Sequence, residues 1–275
     1  MTEIDPEIAR YYTETWDEDA RLRSGLNELE LVRTREIVRR HLSERALEVL
    51  DVGGGGGVHA EWLLDDGHAV HLIDPMASHV DQAIASLGEV KGFSAEVADG
   101  RSLPVDDASF DVVLLFGPLY HLPDRADRAL VWREAKRVVR PGGLVFAAAI
   151  SRFASLYGGL TEREIFVDEF RAIVQRDLAT GHHQNTTRNE RYFTAAYFQH
   201  PEELEAESAE AGFTVREVLA VEGLAGALPQ LEQDWGDPER RGIIIESARM
   251  VESEPSLLGA SPHILLVAER PIPVI

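Results

Sequence analysis

The 275-residue sequence has no cysteine, no long hydrophobic run and only two lysines, Lys91 and Lys136. Without cysteine there can be no disulfide, thiolate metal centre or thiol nucleophile, and a reducing compartment is permitted. No stretch of about 18 apolar residues is present to span a bilayer. The start, Met1-Thr2-Glu3-Ile4-Asp5-Pro6, lacks the basic and apolar regions of a secretory signal. A cytoplasmic protein with no membrane partner is therefore expected. Cations are scarce, 27 Lys and Arg against 48 Asp and Glu, for a net charge of −21. Such a field repels phosphate backbones, and no basic cluster interleaved with aromatics offsets it, so nucleic acid is not an expected partner. Solubility is an alternative origin of the acidity. Core material is ordinary, at 44% hydrophobic residues, enough for one large core or two small ones.

Helix and strand signals alternate along the chain, which predicts an α/β protein with a doubly wound, mostly parallel seven-stranded sheet. Strands are expected at Ala46–Val52, Ala69–Ile73, Phe93–Val97, Phe110–Phe116, Leu144–Ile150, Phe213–Val221 and His263–Ala268. Helical patterns fall between them at His59–Asp66, Met76–Leu87, Arg125–Val139 and from Pro201 to Ala211. Pro141-Gly142-Gly143 should stop the third of these near Arg140. Ahead of the sheet, Glu7–Leu22 and Glu28–Leu42 read as two amphipathic helices. This divides the chain into a helical cap at 1–45 and a core at 46–275, with insertions at about 151–200 and 223–260. Ligands of open α/β sheets sit beyond the carboxyl ends of the strands, so insertions there are expected to roof a site.

Five consecutive glycines, Gly53 to Gly57, follow the first strand. Five residues without a Cβ are entropically costly, and the cost makes sense where backbone must pass close to a ligand. A dinucleotide fingerprint fails on spacing: counted from Gly53 the sixth position is Val58, and from Gly54 it is His59. No lysine follows the loop, which removes the phosphate-cradling reading as well. The pattern that fits is Asp51-x-Gly53-x-Gly55-x-Gly57.

These residues resemble the class I S-adenosylmethionine-dependent methyltransferases. The first motif of that family is matched by Val49-Leu50-Asp51-Val52 and the glycines after it. The resemblance implies that Gly53, Gly55 and Gly57 let backbone lie against the methionine and ribose portions of the cofactor. Asp51 would offer a carboxylate toward the ammonium end. In the second motif, Val70-His71-Leu72-Ile73-Asp74-Pro75-Met76, Asp74 ends the second strand 23 positions after Asp51, where a carboxylate can accept both ribose hydroxyls. Met76 would pack on the adenine. Asp99 and Gly100, within Glu96–Pro104, resemble the third motif, which meets the adenine amino group. Ser109–Val113 and Arg137–Gly143 complete the match, which is specific over roughly 46–150.

Methyl transfer from a sulfonium draws its reactivity from the cofactor, so the protein chiefly positions and desolvates the nucleophile. A base is needed when the acceptor is a hydroxyl or a protonated amine, and the loop after the fourth strand is where to look. That loop, Phe116-Gly117-Pro118-Leu119-Tyr120-His121-Leu122-Pro123, lacks the Asn/Asp-Pro-Pro-Tyr/Phe signature of amide-methylating relatives. Phe116 is a cofactor contact by position. His121 is a candidate base or a scaffold for the cofactor, and Tyr120 is the candidate that faces the acceptor. Arg33, on the second N-terminal helix, has the guanidinium fork to pair with the cofactor carboxylate. His182-His183 and the run Tyr192-Phe193 to Tyr197-Phe198 are candidates to line an acceptor pocket. Adjacent histidines face opposite sides of a regular element, so no metal site is expected there. The expected function is transfer of a methyl group to an oxygen, nitrogen or carbon of a small acceptor, a specialised metabolite or quinone-like compound. A monomer or homodimer would suffice. The alternatives are a nucleic-acid or protein methyltransferase, or a silent cofactor-binding protein.

Overall fold

The computed structural model describes residues 6–12, 21–23, 27–187, 189, 192–228 and 231–273. Helix α1 is Pro6–Arg10 and α2 is Glu28–His41. Most of the rest of the first expected helix, including Trp16, lies outside the described residues. The core then runs β1 Glu48–Val52, α3 Val58–Asp65, β2 Ala69–Asp74, α4 Ala77–Leu87, β3 Phe93–Val97 and β4 Phe110–Leu115. It continues with α5 Arg125–Val138 and β5 Val139–Ile150. After β5 come α6 Ala154–Thr161, α7 Asp168–Thr180 and a two-residue pair, β6 His182–His183 with β7 Ala196–Tyr197. The chain closes with α8 Pro201–Glu210, β8 Thr214–Ala220, α9 Leu231–Trp235, α10 Pro238–Met250 and β9 His263–Glu269.

The seven-stranded sheet has the order β3-β2-β1-β4-β5-β9-β8. Strands β1 to β5 pair in parallel, and β9 is antiparallel to both β5 and β8. The carboxyl ends of β1, β2, β4 and β8 and the start of β9 thus share one edge. Alternation along the strands sends residues to opposite faces. Val49, Leu72, Val112, Leu114 and Phe146 pack under α2, α3 and α4. Leu50, Ile73, Val113, Leu115 and Val145 pack under α5, where Trp132 and Val138 are fully buried. The inner strands β1, β4, β5 and β9 are buried on both faces, as helix cover requires, while the edge strands β3 and β8 are partly exposed.

Helix α5 ends at Val138, short of the expected stop, because Arg140 precedes a proline and that position is driven out of helical backbone. Val139 is already extended, and Pro141-Gly142-Gly143 falls inside an irregular start of β5, whose pairing with β4 shifts register there. The second insertion packs onto α2 through Leu231, Trp235, Ile244 and Ala248 against Leu29. The first folds as α6, α7 and the β6–β7 pair over the carboxyl edge of the sheet. Among the described residues no helix is long and apolar enough to cross a membrane.

Candidate functional site

The strand order reverses beside β1, whose neighbours β2 and β4 lead away in opposite directions, and ligands of open α/β sheets bind at such a point. There the glycine loop is pinned by Gly53 and Gly54 N–H groups donating to the Ile73 carbonyl at 2.7 and 3.3 Å. It lies so close to the loop after β4 that a Cβ on Gly117 would sit 3.1 Å from the Gly53 carbonyl oxygen. Two adjoining cavities of about 460 and 500 Å³ open here, and Tyr12, Gly53, Gly55 and Tyr120 line both.

The smaller cavity runs along the ends of β2 and β3. Asp74 is 4% exposed, and its carboxylate accepts from Gly55 N–H at 3.0 Å and Met76 N–H at 2.8 Å, with His79 Nδ1 at 3.1 Å. A carboxylate has about four acceptor sites, so capacity remains for a ligand hydroxyl. Asp99 and Gly100 line this cavity as well. Burial pushes the Asp99 carboxyl up, but the bonds from the Arg101 side chain and backbone outweigh it and hold it below the usual carboxylate range. Met76, Pro118 and Leu122 supply apolar wall. Two carboxylates on an apolar wall suit a nucleoside, which carries ribose hydroxyls and an amino-bearing ring.

His121 also lines the smaller cavity. Its Nε2 lies 2.8 Å from the Tyr12 hydroxyl, and its ring stacks with Phe193 at 5.8 Å. Tyr120 faces both cavities, but its hydroxyl donates to the Phe116 carbonyl at 2.6 Å. Phe116 itself lines the larger cavity, in edge contact with His59.

Three expected cofactor contacts are placed elsewhere. Arg33 is fully buried and lines neither cavity: its guanidinium bonds Glu36, Glu252 and the Val221 carbonyl, which ties α2 to the chain beyond β8 and α10. Asp51 is fully buried too, with Oδ2 2.8 Å from where a Cβ on Gly54 would stand. It lines neither cavity. Gly57 caps α3 in left-handed backbone, φ 99°, and a Cβ there would meet Leu87 at 2.9 Å. Its lack of a side chain serves helix packing.

The larger cavity is roofed mainly by the first insertion. Phe170, His183, Tyr192, Phe193 and Phe198 line it, while His182 is exposed, so the two histidines do face apart. His183 has Nδ1 2.7 Å from Asp177 and Nε2 3.3 Å from the Phe193 carbonyl, and it stacks on Phe198. The second insertion reaches this cavity only at its flanks, through Val221, Pro262 and His263.

His263 was not visible as a site residue in the sequence. It opens β9 with Nδ1 2.5 Å from Glu222 and 3.7 Å from Glu30. Burial pulls its imidazole down, but the charges of Glu30 and Glu222 outweigh that and lift it to about 9. Burial pushes Glu222 up, and the His263 charge more than reverses this, leaving it lowered. Donor atoms of Glu30, Glu222 and His263 lie within 4.8 Å of one another. The one signal in the sequence was positional: Glu222 directly follows a strand that ends at the ligand-bearing edge.

The sequence profile of a family described as "Methyltransferase domain" matches residues 50–147. A ubiquinone biosynthesis O-methyltransferase of Azorhizobium caulinodans is 29% identical over 79% of this chain and 84% of its own length. One of Pseudomonas paraeruginosa is 30% identical over 63% of this chain and 67% of its own. Among solved structures, a SAM-dependent methyltransferase from Methanosarcina mazei superposes with a TM-score of 0.59 at 17% identity, covering 86% of this chain and 98% of that one. With these likenesses resting on the same strand ends that build the two cavities, the chain belongs to the class I S-adenosylmethionine-dependent methyltransferases and is an enzyme that uses S-adenosylmethionine.

Proposed function

We propose that the enzyme methylates a hydroxyl oxygen of a small aromatic, quinol-like acceptor held in the larger cavity. The observation that carries this reading is the cavity itself: about 500 Å³, walled by Phe116, Tyr120, Phe170, Tyr192, Phe193 and Phe198, and joined to the glycine loop. That volume and lining suit a single planar ring better than a polymer. The related ubiquinone biosynthesis O-methyltransferases support an oxygen acceptor of this kind.

In this reading the smaller cavity takes the nucleoside. Asp74 would receive a ribose hydroxyl at its remaining acceptor site, Met76 would flank the adenine, and Asp99 with Gly100 would meet its amino group. Gly53 and Gly55 allow the methionine portion to cross toward the larger cavity. Bound there, S-adenosylmethionine supplies a methyl group on a positively charged sulfur. The chain's own work is to hold the acceptor oxygen in line and to exclude water, which Tyr12, Tyr120 and the aromatic roof do from both sides. Tyr120 and His121 have committed hydrogen-bond partners and shape the boundary between the cavities. Residues 1–45 serve as a cap over a core at 46–275, and the enzyme works in the cytoplasm as a monomer or homodimer without nucleic acid.

The test is transfer of a trideuteromethyl group from labelled cofactor to a panel of catechols and hydroquinones, read by mass spectrometry. A mass gain on a hydroxyl oxygen is expected. Labelling of RNA or protein with none on the panel would overturn the reading.

A further inference from the structure

We infer that His263, clamped by Glu222, is a binding site for an ionised oxygen of the acceptor, a phenolate or an equivalent anion. The inference rests on the reading of the larger cavity as the acceptor site and names the chemistry recognised there. Four observations carry it.

First, His263 lines that cavity with 23% of its side chain exposed, while its Nδ1 is committed to Glu222. Second, the clamp is built rather than incidental. Glu222 is buried and also accepts from Ser261 Oγ at 2.9 Å and from the His263 backbone N–H at 3.1 Å. Ser261 Oγ in turn accepts from the Glu222 and Gly223 N–H groups at 3.1 and 3.0 Å. Strand β9 and the end of β8 are thereby locked around one imidazole. Third, Nε2 of His263 has no partner among the described residues, so its N–H is available to a ligand.

Fourth, the phenol and imidazole donors of the wall are committed, and Ser155 Oγ, buried without a partner, is an uncharged donor. Tyr120 donates to the Phe116 carbonyl, Tyr192 to Glu164, and His183 is held by Asp177 and the Phe193 carbonyl. The acidic groups that face His263 are compensated as well. Glu30 on α2 is held by Arg21 through bonds of 2.8 and 3.2 Å, and Glu222 by His263 itself. The cavity therefore presents one charged donor without a ligand, in an apolar, aromatic surround where a charge-assisted hydrogen bond is at its strongest. An oxygen bound there ionises on entry, its proton passing to solvent, and no side chain has to act as a base. This is consistent with the absence of an uncommitted imidazole at His121.

The test uses 4-nitrophenol, whose phenolate is coloured and whose neutral form is not, titrated against the full chain by absorbance. The wild type should lower the ionisation midpoint of the bound probe by about one pH unit or more, a tenfold preference for the anion. His263→Gln should abolish the shift while its affinity for S-adenosylhomocysteine stays within about twofold, which shows that the fold persists. As a measurement needing no variant, binding of the phenolate to the wild type should fall as pH rises through about 9, where the imidazole loses its proton. A wild type that does not shift the probe, or a variant that shifts it equally, would overturn the inference. So would phenolate binding that disappears with a chelator and returns with a divalent cation, since the three side chains would then be serving a metal. Methyl transfer to a catechol with no phenolate preference would refute this site and leave the proposed function standing.

Discussion

Removing the Asp74 carboxylate tests the nucleoside side of the site most sharply. In the structure it fixes three groups at once: the Gly55 and Met76 N–H groups at 3.0 and 2.8 Å, and His79 at 3.1 Å. It therefore sets the path of the glycine loop as well as offering oxygen to a ligand. A hydrogen bond to a charged group contributes about 1.5–3 kcal/mol, so loss of one ribose contact alone weakens binding by roughly 10- to 150-fold. The freed N–H groups of Gly55 and Met76 turn to water that enters the opened space, and the loop pays an ordering cost on binding, which places Asp74→Ala toward the upper end. Asp74→Asn should fall nearer the lower end, since its one carbonyl oxygen replaces only part of the acceptor set. Isothermal titration of S-adenosylhomocysteine into wild type and both variants measures this directly. Affinity within a factor of two of wild type in Asp74→Ala, with the protein still folded, would refute the assignment.

Arg33→Leu should cost about 3–5 kcal/mol of stability because it strands buried Glu252 beside Arg40 alone, while cofactor affinity in the folded protein stays within about twofold; melting curves and titration separate the two. A large loss of affinity with unchanged melting would restore the cofactor-carboxylate role to Arg33. His121→Gln should lower kcat modestly and leave the pH profile in place, as expected of a ring packed between Tyr12 and Phe193; loss of a neutral-pH ionisation from the profile would mark it as a base. The His263–Glu222 pair predicts a pH dependence of folding. The imidazole sits at about 9 in the folded chain against an ordinary 6.5, so its contribution is complete below pH 6.5 and is lost as pH rises to 9. The melting temperature of the wild type should fall across that window and that of His263→Gln should fall less; parallel curves would contradict the assignment.

Much of this architecture is legible in the sequence, because alternating strand and helix signals and short glycine or proline punctuation survive without tertiary information. The β3 limits and the placement of Asp74, Asp99 and Gly100 on one cavity follow from local pattern. Arg33 and Asp51 are not legible in the same way. Both carry charges that suit a ligand, and nothing in their neighbourhood shows that one is consumed by Glu252, more than two hundred positions away, or that the other is fully buried against Gly54 of its own loop. The His263–Glu222 clamp is invisible for the same reason. It joins the end of one strand to the start of another across an insertion whose path sequence alone does not reveal. Tyr120 lines both cavities, but the commitment of its hydroxyl to the Phe116 carbonyl depends on the turn of that loop.

In the proposed reaction a small aromatic oxygen receives the methyl group in the cavity beneath the first insertion. Incubating the enzyme with trideuteromethyl-labelled S-adenosylmethionine and a catechol, then locating the label by mass spectrometry, tests it most directly. A single labelled methyl on a ring hydroxyl oxygen, formed in step with S-adenosylhomocysteine, is the expected product. Tight cofactor binding with label found only on nitrogen, carbon, nucleic acid or protein would contradict it.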